Sequence, residues 1–208
     1  RQLLAYVSAH EWRKKGVLIA ALNSNIHPHY GVFSPIRGEY LELIKSASLP
    51  NPCASAWDIG TGTGVISAVL AKRGLKTILA TDTDPRALAC AQENFERLGI
   101  TEQVQLHQAD LFPKTDTKAD LIVCNPPWLP AKAAAPIERA IFDEKSQMLK
   151  GFLLNVSTHL SAHGQAWLVM SDFAEHLGLR GANEIANLIE QAGLRVLKKH
   201  DIRPQHGK

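Results

Sequence analysis

The sequence DIGTGTG, residues 58–64, lies between a short apolar run and a segment with helical spacing. Its three glycines permit backbone conformations that other residues avoid, and they let a ligand approach the main chain closely. A helix that begins directly after such a loop presents free backbone N–H groups, which favour a negatively charged part of a ligand. A glycine run alone is weak evidence, but its place between a strand and a helix predicts a ligand site.

Working outward from this loop, strand-like runs alternate with helical stretches. The strand-like runs are residues 55–59, 77–80, 104–107, 121–124, 166–170 and 195–199. The helical stretches are residues 65–73, 85–98, 144–160 and 182–192. Short apolar strands that alternate with helices predict an α/β fold with a doubly wound, mostly parallel sheet and helices on both faces.

The part of the chain before this alternation has a different character. Residues 3–22 have the apolar spacing of a helix, and residues 23–37 are rich in Pro, Asn and Gly and predict an ordered loop. A short amphipathic helix is predicted over Glu39–Ser46, with Tyr40 on its inward face.

The composition indicates an ordered globular protein. The 208 residues are 45% hydrophobic, and 23 Lys and Arg against 20 Asp and Glu give a formal charge of +3. No window reaches the roughly 18 consecutive apolar residues that a membrane-spanning helix needs. The first residues also lack the pattern of a secretory signal. We therefore expect a protein without a membrane segment.

The cysteine and histidine residues give no sign of a metal site. Cys53, Cys90 and Cys124 form neither a Cys-x-x-Cys pair nor a disulfide framework. The nine histidines are scattered, and His27 and His29 belong to no set of metal ligands with Cys or Asp. We expect buried, reduced thiols, which indicate a cytoplasmic protein, and no bound metal.

Two acidic residues follow the glycine loop at informative positions. Asp82 ends the second strand-like run, about 20 residues after the loop, where a carboxylate can accept both hydroxyls of a ribose. Asp110 follows the third run and can accept a hydrogen bond from an adenine amino group. The alternative for either aspartate is a helix cap or a solvated loop residue. Thr83 and Leu111, their neighbours, complete this set of candidate cofactor residues.

A nicotinamide-dependent dehydrogenase uses the same architecture and is a competing interpretation. Its fingerprint, Gly-x-Gly-x-x-Gly, places the third glycine one residue later than Gly64, where this chain has Val65. Asp58, just before the loop, would repel a pyrophosphate. A ligand that carries an amino group beside its carboxylate suits Asp58 better, and S-adenosylmethionine is such a ligand.

Four segments in the same order resemble the class I methyltransferases: DIGTGTG, TDTDPRALACAQEN (81–94), ADLF (109–112) and DLIVCNPPW (120–128). More narrowly, the chain is similar to the methyltransferase small domain group over roughly residues 30–200. That group contains the release-factor glutamine methyltransferases and several rRNA and tRNA base N-methyltransferases. The resemblance implies a Rossmann-like methyltransferase sheet and S-adenosylmethionine as the cofactor.

The resemblance also implies how the chain is divided and where the cofactor lies. Residues 51–208 form the catalytic domain, and residues 1–50 form an N-terminal helical segment with a loop that covers the cofactor, all within one compact unit. The residues expected at the cofactor are Phe33, Asp58, Gly60, Thr61, Gly62, Gly64, Asp82, Thr83, Asp110, Leu111 and Asn125. The family's sheet ends in a two-stranded hairpin with an antiparallel last strand. Only the run 195–199 is found here, so we expect either that the given sequence stops before the last strand or that this strand is missing.

The motif Asn125-Pro126-Pro127-Trp128 carries the predicted chemistry. The lone pair of an amide or base amino nitrogen is delocalised, so this nitrogen must be oriented before it can attack a methyl group. The Asn125 side-chain oxygen and the Pro126 carbonyl can each accept one N–H of such an amino group. Pro126 and Pro127 stiffen the loop, and Trp128 offers a flat face to a planar target. The alternative for this motif is an ordinary turn after a buried strand.

The target is predicted from charge and from one aromatic residue. Basic residues follow the motif and crowd the end of the chain: Lys132, Arg139, Lys145, Lys150, Arg195, Lys198, Lys199, Arg203 and Lys208. They are expected either to contact a nucleic-acid backbone or to form a solvated surface. The release-factor enzymes usually carry Tyr where Trp128 stands, and a larger aromatic suits a larger planar target. We therefore predict nucleic acid binding and transfer to a base amine of RNA, either rRNA or tRNA.

Two alternatives remain open at this point. A protein glutamine amide fits the resemblance almost as well as an RNA base. A chain that binds the cofactor as a non-catalytic partner subunit belongs to a different class, and the intact Asn125-Pro126-Pro127 sequence argues against it.

Overall fold

The computed structural model describes residues 13–35, 38–132 and 141–203. A hairpin of β1 (Val17–Ile19) and β2 (Ser24–Ile26) precedes helix α1 (Tyr40–Ser46). The alternating part then contains β3 (Ser55–Ile59), α2 (Val65–Lys72), β4 (Thr77–Asp82), α3 (Pro85–Leu98), β5 (Val104–Gln108), β6 (Ala119–Cys124), α4 (Gln147–His159) and β7 (Leu160–Leu168). Helices α5 (Phe173–His176) and α6 (Glu184–Gln191) follow. Short 3-10 helices occupy Thr101–Gln103 and Glu144–Ser146.

The described residues of the alternating part form one five-stranded sheet. Its strand order is β5-β4-β3-β6-β7, and every neighbouring pair is parallel. The alternating part of the chain therefore begins with the central strand β3 and continues through β4 to the edge strand β5. It then crosses to the other side of β3, where β6 and β7 lie. This topology confirms the predicted doubly wound α/β fold. It also brings the carboxyl ends of β3, β4 and β6 together, and ligands of open parallel sheets bind at such a reversal point.

Two hydrophobic clusters cover the two faces of the sheet. Side chains alternate along β3, so that Ala56 joins one cluster while Trp57 joins the other. Helices α2 and α3, with the N-terminal hairpin and α1, pack on the first face, where Leu70 and Phe95 are fully buried. Helix α4 packs on the second face through residues that include Phe152. The N-terminal segment thus shares a core with the sheet.

Part of the N-terminal prediction is wrong. The helix predicted over residues 3–22 is interrupted by β1, although residues 13–15 are helical; residues 1–12 lie outside the described part of the chain. Val17, Leu18 and Ile19 fit a helix and a strand equally well by apolar content alone. Pairing of Val17 with Ile26 in the hairpin decides for the strand.

The carboxyl-terminal strands also differ from the prediction. Strand β7 begins at Leu160, directly after α4, rather than at residue 166. Its register against β6 shifts between Ala119, which pairs with Leu160, and Leu121, which pairs with Gln165. The strand predicted over residues 195–199 is not formed: residues 194–203 contain no helix or strand. Val196 and Leu197 are exposed there, so no neighbouring strand gives this run the burial that its composition suggested.

Asp120 ties three parts of the sheet together at its amino-terminal edge. Its Oδ2 accepts hydrogen bonds from Ala54 N at 2.8 Å and Ser55 N at 3.1 Å, and its Oδ1 accepts one from Ser161 Oγ at 2.7 Å. The Ser161 bond, followed by those of the two backbone amides, holds the pKa of Asp120 below its ordinary value. The charged form is therefore the one that the fold stabilises.

We expect Asp120→Ala to lower the free energy of unfolding by about 1–2 kcal/mol near neutral pH. Because the pKa is lowered in the folded state, this stabilisation is present above the ordinary Asp pKa of about 3.9 and is lost as the pH falls through the folded value. Denaturant unfolding at neutral and acid pH measures the effect, with the exposed Asp116→Ala as the matched control. An equal deficit at both pH values would contradict the assignment.

Candidate functional site

The glycine loop turns back onto strand β4 and forms the floor of a cleft. Gly60 N and Thr61 N both donate to the backbone oxygen of Thr81, at 2.9 and 2.8 Å, and Gly62 N donates to Asp82 Oδ2 at 3.0 Å. Gly60, Gly62 and Gly64 have φ values of 74°, 55° and 81°. These left-handed conformations are the reason why the turn requires glycine.

The three glycines differ in what surrounds them. A Cβ at Gly60 would lie 2.6 Å from Met148 Cε, and one at Gly64 would lie 2.5 Å from Phe95 Cε1. A Cβ at Gly62 would meet nothing within 4 Å. Packing therefore requires glycine at position 64, where the Phe95 ring is fully buried, whereas Met148 Cε at Gly60 is the end of a flexible side chain that can move aside. Gly62 faces open space in which a ligand can approach the backbone.

Asp58 lies beneath the loop and is fully buried. Its Oδ2 accepts from Thr61 Oγ1 at 2.7 Å, from Ser67 Oγ at 2.7 Å and from Ser67 N at 3.1 Å. Its Oδ1 is buried without a hydrogen-bond partner among the described residues. Burial raises the pKa of Asp58, and the bonds from Thr61 and Ser67 oppose this effect. The carboxylate thus holds the loop to the start of α2.

Asp82 and its neighbours form one side wall of the cleft. Asp82 Oδ1 accepts from Asp84 N at 2.9 Å, while Oδ2 holds Gly62. Burial raises the pKa of Asp82 against these hydrogen bonds. Each carboxylate oxygen has further lone-pair capacity for a hydroxyl donor. Thr83 lines the cleft beside it.

Asp110 and Leu111 border the cleft after strand β5. Asp110 is exposed, and Leu111 has a φ of 62°, which a non-glycine residue rarely adopts. Thr81 Oγ1 donates to the Leu111 oxygen at 2.7 Å and helps to hold this conformation. Thr81 therefore supports both sides of the cleft, since its backbone oxygen accepts from the glycine loop.

The loop after β6 contributes the motif Asn125-Pro126-Pro127-Trp128. Trp128 Nε1 donates to Asn125 Oδ1 at 3.0 Å. Tyr40, on α1, lies beside this loop, and its ring meets the Trp128 ring edge to face, with ring centroids 6.5 Å apart. Burial and then the nearby Asp58 carboxylate raise the pKa of Tyr40, and the Asn125 side chain opposes them.

The same loop is fastened to the start of helix α4. Leu129 N donates to Ile141 O at 3.0 Å, and Asp143 N donates to Leu129 O at 2.8 Å. The buried Asp143 carboxylate accepts from Met148 N at 2.9 Å and Leu149 N at 3.1 Å. Unpaired N–H groups at a helix start favour such a carboxylate.

One cleft brings together most of the residues predicted from the sequence. Those that line it are Phe33, Gly60, Thr61, Gly62, Asp82, Thr83, Asp110, Leu111, Asn125, Pro126, Pro127 and Trp128. Asp58 and Gly64 lie beneath the surface of the cleft rather than on it. Sequence reasoning treated Tyr40 as core and passed over Asp143. A hydroxyl on the inward face of an apolar helix was the one signal that could have marked Tyr40.

Several of the basic residues also line this cleft: Lys132, Arg195, Lys198, Lys199 and Arg203. Lys199 pairs with Asp201 at 3.2 Å. Lys145 and Lys150 lie outside the cleft, and the predictions for Arg139 and Lys208 concern residues outside the described ranges.

The described residues also bear on metal and membrane binding. Among residues 13–35, 38–132 and 141–203, no three His, Cys, Asp or Glu side chains are grouped as metal ligands. No helix in these ranges has both the length and the apolar character to cross a membrane. Cys90 and Cys124 are buried, Cys53 is half-buried, and all three are free thiols.

The chain is similar to several known proteins. The family model described as methyltransferase small domain matches residues 23–192. A release factor glutamine methyltransferase of Cereibacter sphaeroides is 31% identical over 165 residues, which are 74% of this chain and 57% of the relative. A putative protein N5-glutamine methyltransferase of Methanocaldococcus jannaschii is 28% identical over 184 residues, 86% of this chain and 87% of the relative. A tRNA1(Val) (adenine(37)-N6)-methyltransferase of Cytophaga hutchinsonii is 31% identical over 133 residues, 62% of this chain and 56% of the relative.

The fold has counterparts among solved structures. A methyltransferase from Pyrococcus furiosus superposes with a TM-score of 0.62, covering 92% of this chain and 87% of that chain at 18% identity. This likeness concerns the fold alone. The chain spans somewhat more than half of the Cereibacter and Cytophaga relatives.

Proposed function

This chain belongs to the methyltransferase small domain family, and we propose that it transfers a methyl group to a planar amino nitrogen. The observation that carries the proposal is the position of Asn125-Pro126-Pro127-Trp128. This loop lines the same cleft as Gly62 and Asp82, at the carboxyl ends of adjacent parallel strands. A target bound at Asn125 is thereby next to a ligand bound at the glycine loop.

S-adenosylmethionine is the cofactor of the family, and the described residues fit it. Gly62 opens onto free space, Asp82 offers a carboxylate for ribose hydroxyls, and Asp58 keeps a buried Oδ1 without a partner. We assign the methionine end to the glycine loop, with Gly60, Thr61 and Gly62 on the cleft and Asp58 and Gly64 beneath them. The ribose is assigned to Asp82 and Thr83. The adenine is assigned to Asp110 and Leu111, with Phe33 covering the cofactor. When bound, the cofactor supplies a sulfonium methyl group to an electron pair on nitrogen.

The chain's own groups orient the target nitrogen. Asn125 Oδ1 and the Pro126 carbonyl accept its two N–H groups, so that its lone pair is free to point at the methyl group. Both oxygens also stabilise the positive charge that develops on the nitrogen. The alkylated nitrogen is acidic and loses a proton readily, so no strong general base is needed. Rate enhancement comes mainly from positioning.

We expect Thr81→Val to lower cofactor affinity about 5- to 10-fold, since each factor of ten corresponds to about 1.4 kcal/mol. Valine keeps the shape of threonine but leaves the Leu111 oxygen without its donor, so that the adenine side of the cleft loses its support. Calorimetric titration with S-adenosylmethionine measures the change. Thr77→Val, at the exposed start of the same strand, is the matched control. Equal affinities of Thr81→Val and the wild type would contradict the role given to Thr81.

An RNA base amine is the target that we place first. Arg195, Lys198 and Arg203 are among the residues that line the cleft, as are Trp128 and Asn125. Positive side chains can contact phosphates, while an aromatic ring can stack on a base. The similarity to a tRNA adenine N6-methyltransferase supports this choice. A base amine as the target implies rRNA or tRNA as the partner. The free thiols support a cytoplasmic location.

A protein glutamine amide is the second candidate. The two relatives whose alignments cover 74% and 86% of this chain are named for glutamine methylation. A glutamine amide also has two N–H groups for the same two acceptors. Both candidates therefore use Asn125 and Pro126 in the same way.

The test uses radiolabelled S-adenosylmethionine and an extract of cells that lack the protein. RNA and protein fractions are separated after incubation, and Asn125→Ala is run in parallel as the inactive control. We expect label in the RNA fraction that falls as the salt concentration rises. Label in a single protein band would instead establish the glutamine alternative. Wild-type protein that labels neither fraction would contradict methyl transfer to both classes of target.

A further inference from the structure

Asn94 lies on helix α3, between the glycine loop and the segment that follows strand β2. The residue is fully buried. Its Oδ1 accepts a hydrogen bond from His27 N at 2.8 Å, and its Nδ2 donates to Thr63 O at 3.0 Å and to His27 O at 3.3 Å. A backbone N–H can only donate and a carbonyl oxygen can only accept, so these partners fix the orientation of the amide. Asn94 therefore joins two segments that are distant in the sequence.

The hydrogen bonds of Asn94 replace those that a neighbouring strand would supply. Strand β2 ends at Ile26, which pairs with Val17, and His27 is the first residue beyond this ladder. Both backbone groups of His27 bond to the side chain of Asn94. Backbone N–H and C=O groups that are removed from water need partners. An apolar residue at position 94 would take the partner from all three backbone groups that the amide contacts.

Two further residues of α3 hold the chain beyond His27. Cys90, Glu93 and Asn94 have the i, i+3, i+4 spacing that places side chains on one face of a helix. His29 N donates to Cys90 Sγ at 3.3 Å, and His29 Nε2 lies 2.9 Å from Glu93 Oε2. Cys90, Glu93 and Asn94, which we call the α3 clamp, thus fix the main chain at residues 27 and 29.

The chain held by the α3 clamp leads directly into the cleft. Val32 N donates to His29 O at 3.1 Å and closes a turn. Residues 31–34 line the cleft, as do residues 60–63 of the glycine loop. Two groups of residues that line the cleft are therefore both tied to Asn94, the first through His27 and the second through Thr63 O.

We propose that Asn94 is a positioning residue, which holds residues 31–34 and the glycine loop at the spacing that S-adenosylmethionine requires. This inference rests on the proposed function, which assigns the methionine end of the cofactor to the glycine loop and gives Phe33 a covering role. All the bonds of Asn94 are made to protein groups, so the spacing does not depend on contacts with the cofactor. Such preorganisation lowers the entropic cost of binding. Without the amide, the two segments can move independently.

The binding test compares Asn94→Ala with the wild type by calorimetric titration with S-adenosylmethionine. We expect the Kd to rise about 10- to 100-fold, the result when only about 1–10% of the molecules have the required spacing. Val156→Ala is the matched control, because Val156 is fully buried on α4, on the other face of the sheet, and does not line the cleft. The cavity that it leaves should lower the Tm, while the Kd stays within about twofold of the wild type.

Hydrogen exchange tests the positioning without a ligand. In ¹H–¹⁵N spectra, we expect the His27 amide of the wild type to exchange slowly, as a hydrogen-bonded amide does. Asn94→Ala should accelerate this exchange about tenfold or more and shift the amide signals of Gly62 and Gly64, and Val156→Ala should do neither. The wild-type measurement also decides the question if Asn94→Ala gives no folded protein.

Three results would overturn the inference. The first is an Asn94→Ala variant that binds S-adenosylmethionine as tightly as the wild type. The second is an equal loss of affinity in Val156→Ala at a similar loss of Tm, which would mean that Asn94 acts only through stability. The third is a wild-type His27 amide that exchanges as fast as one in an exposed loop. The proposed methyl transfer fails separately, if the wild type binds S-adenosylmethionine but labels neither RNA nor protein, and the affinities then still decide the role of Asn94.

Discussion

Asn125→Ala should reduce the rate of methyl transfer by about 10²–10³-fold or more, the cost of removing one preorganised group that stabilises a developing charge. Alanine removes the oxygen that accepts an N–H of the target, so that the amino group loses its orientation. Because Asn125 follows β6 while the glycine loop follows β3, cofactor affinity should stay within a few-fold of the wild type. Single-turnover kinetics with saturating S-adenosylmethionine measure the rate, and equilibrium titration measures the affinity.

The matched control is Asn155→Ala on helix α4. Asn155 is exposed, and its side-chain amide donates to Gly151 O within the helix at 2.9 Å. It should transfer methyl groups at the wild-type rate. If Asn125→Ala instead lost cofactor binding and kept its rate at saturation, Asn125 would belong to the cofactor site rather than to the target site.

Gly64→Ala should mainly lower the stability of the protein, whereas Gly62→Ala should mainly lower its affinity for S-adenosylmethionine, although the two glycines belong to one loop. At Gly64, the new methyl group would overlap the Phe95 ring, and the residue would be strained at a φ of 81°. Strain of roughly 1–2 kcal/mol and overpacking of roughly 1–3 kcal/mol together cost about 3–5 kcal/mol of stability. That is a large part of the roughly 5–15 kcal/mol that keeps a domain folded. Thermal and denaturant unfolding measure the loss.

At Gly62, the methyl group would enter open space and leave the core intact. We expect only the strain of about 1–2 kcal/mol in stability, but a loss of about 10- to 100-fold in affinity for S-adenosylmethionine, because the methyl group occupies the approach to the backbone. Gly99→Ala separates the two effects, since Gly99 also has a positive φ, at 67°, and open space around it, but caps α3 away from the cleft. Its affinity should be that of the wild type.

The pattern would contradict this assignment if Gly62→Ala bound the cofactor normally. It would also do so if Gly64→Ala were no less stable than Gly99→Ala. The first result would mean that the open space at Gly62 is not the approach of the cofactor to the backbone. The second would mean that the close approach of Phe95 does not require glycine at position 64.

The structure explains why Thr81 and Asp82 matter to more than one part of the site. In a parallel sheet, the carboxyl ends of neighbouring strands meet at the same edge, and Thr81 pairs with Ile59. The end of β4 is therefore in reach of the glycine loop on one side and of Leu111 on the other. A single strand end thus supports two surfaces of the cleft.

The sequence by itself determined the fold class, the glycine loop and the order of the motifs. These features are local: strand and helix periods, and glycines where only glycine can turn. Even the bounds of α3, residues 85–98, agree with the prediction. Local patterns gave the wrong prediction at residues 17–19, whose apolar content fits a helix and a strand equally well. They were also wrong at residues 195–199, an apolar run that has no strand beside it.

Only the tertiary structure decided what the candidate residues touch. It placed Asp58 beneath the loop instead of on the cleft, and it brought the ring of Tyr40 from α1 against the ring of Trp128 after β6. The physical reason is that periodicity reports which face of an element is buried, but not which distant element covers it. That choice depends on the packing of the whole chain, so the contact of Tyr40 with this loop could not be deduced from the residues near it in sequence.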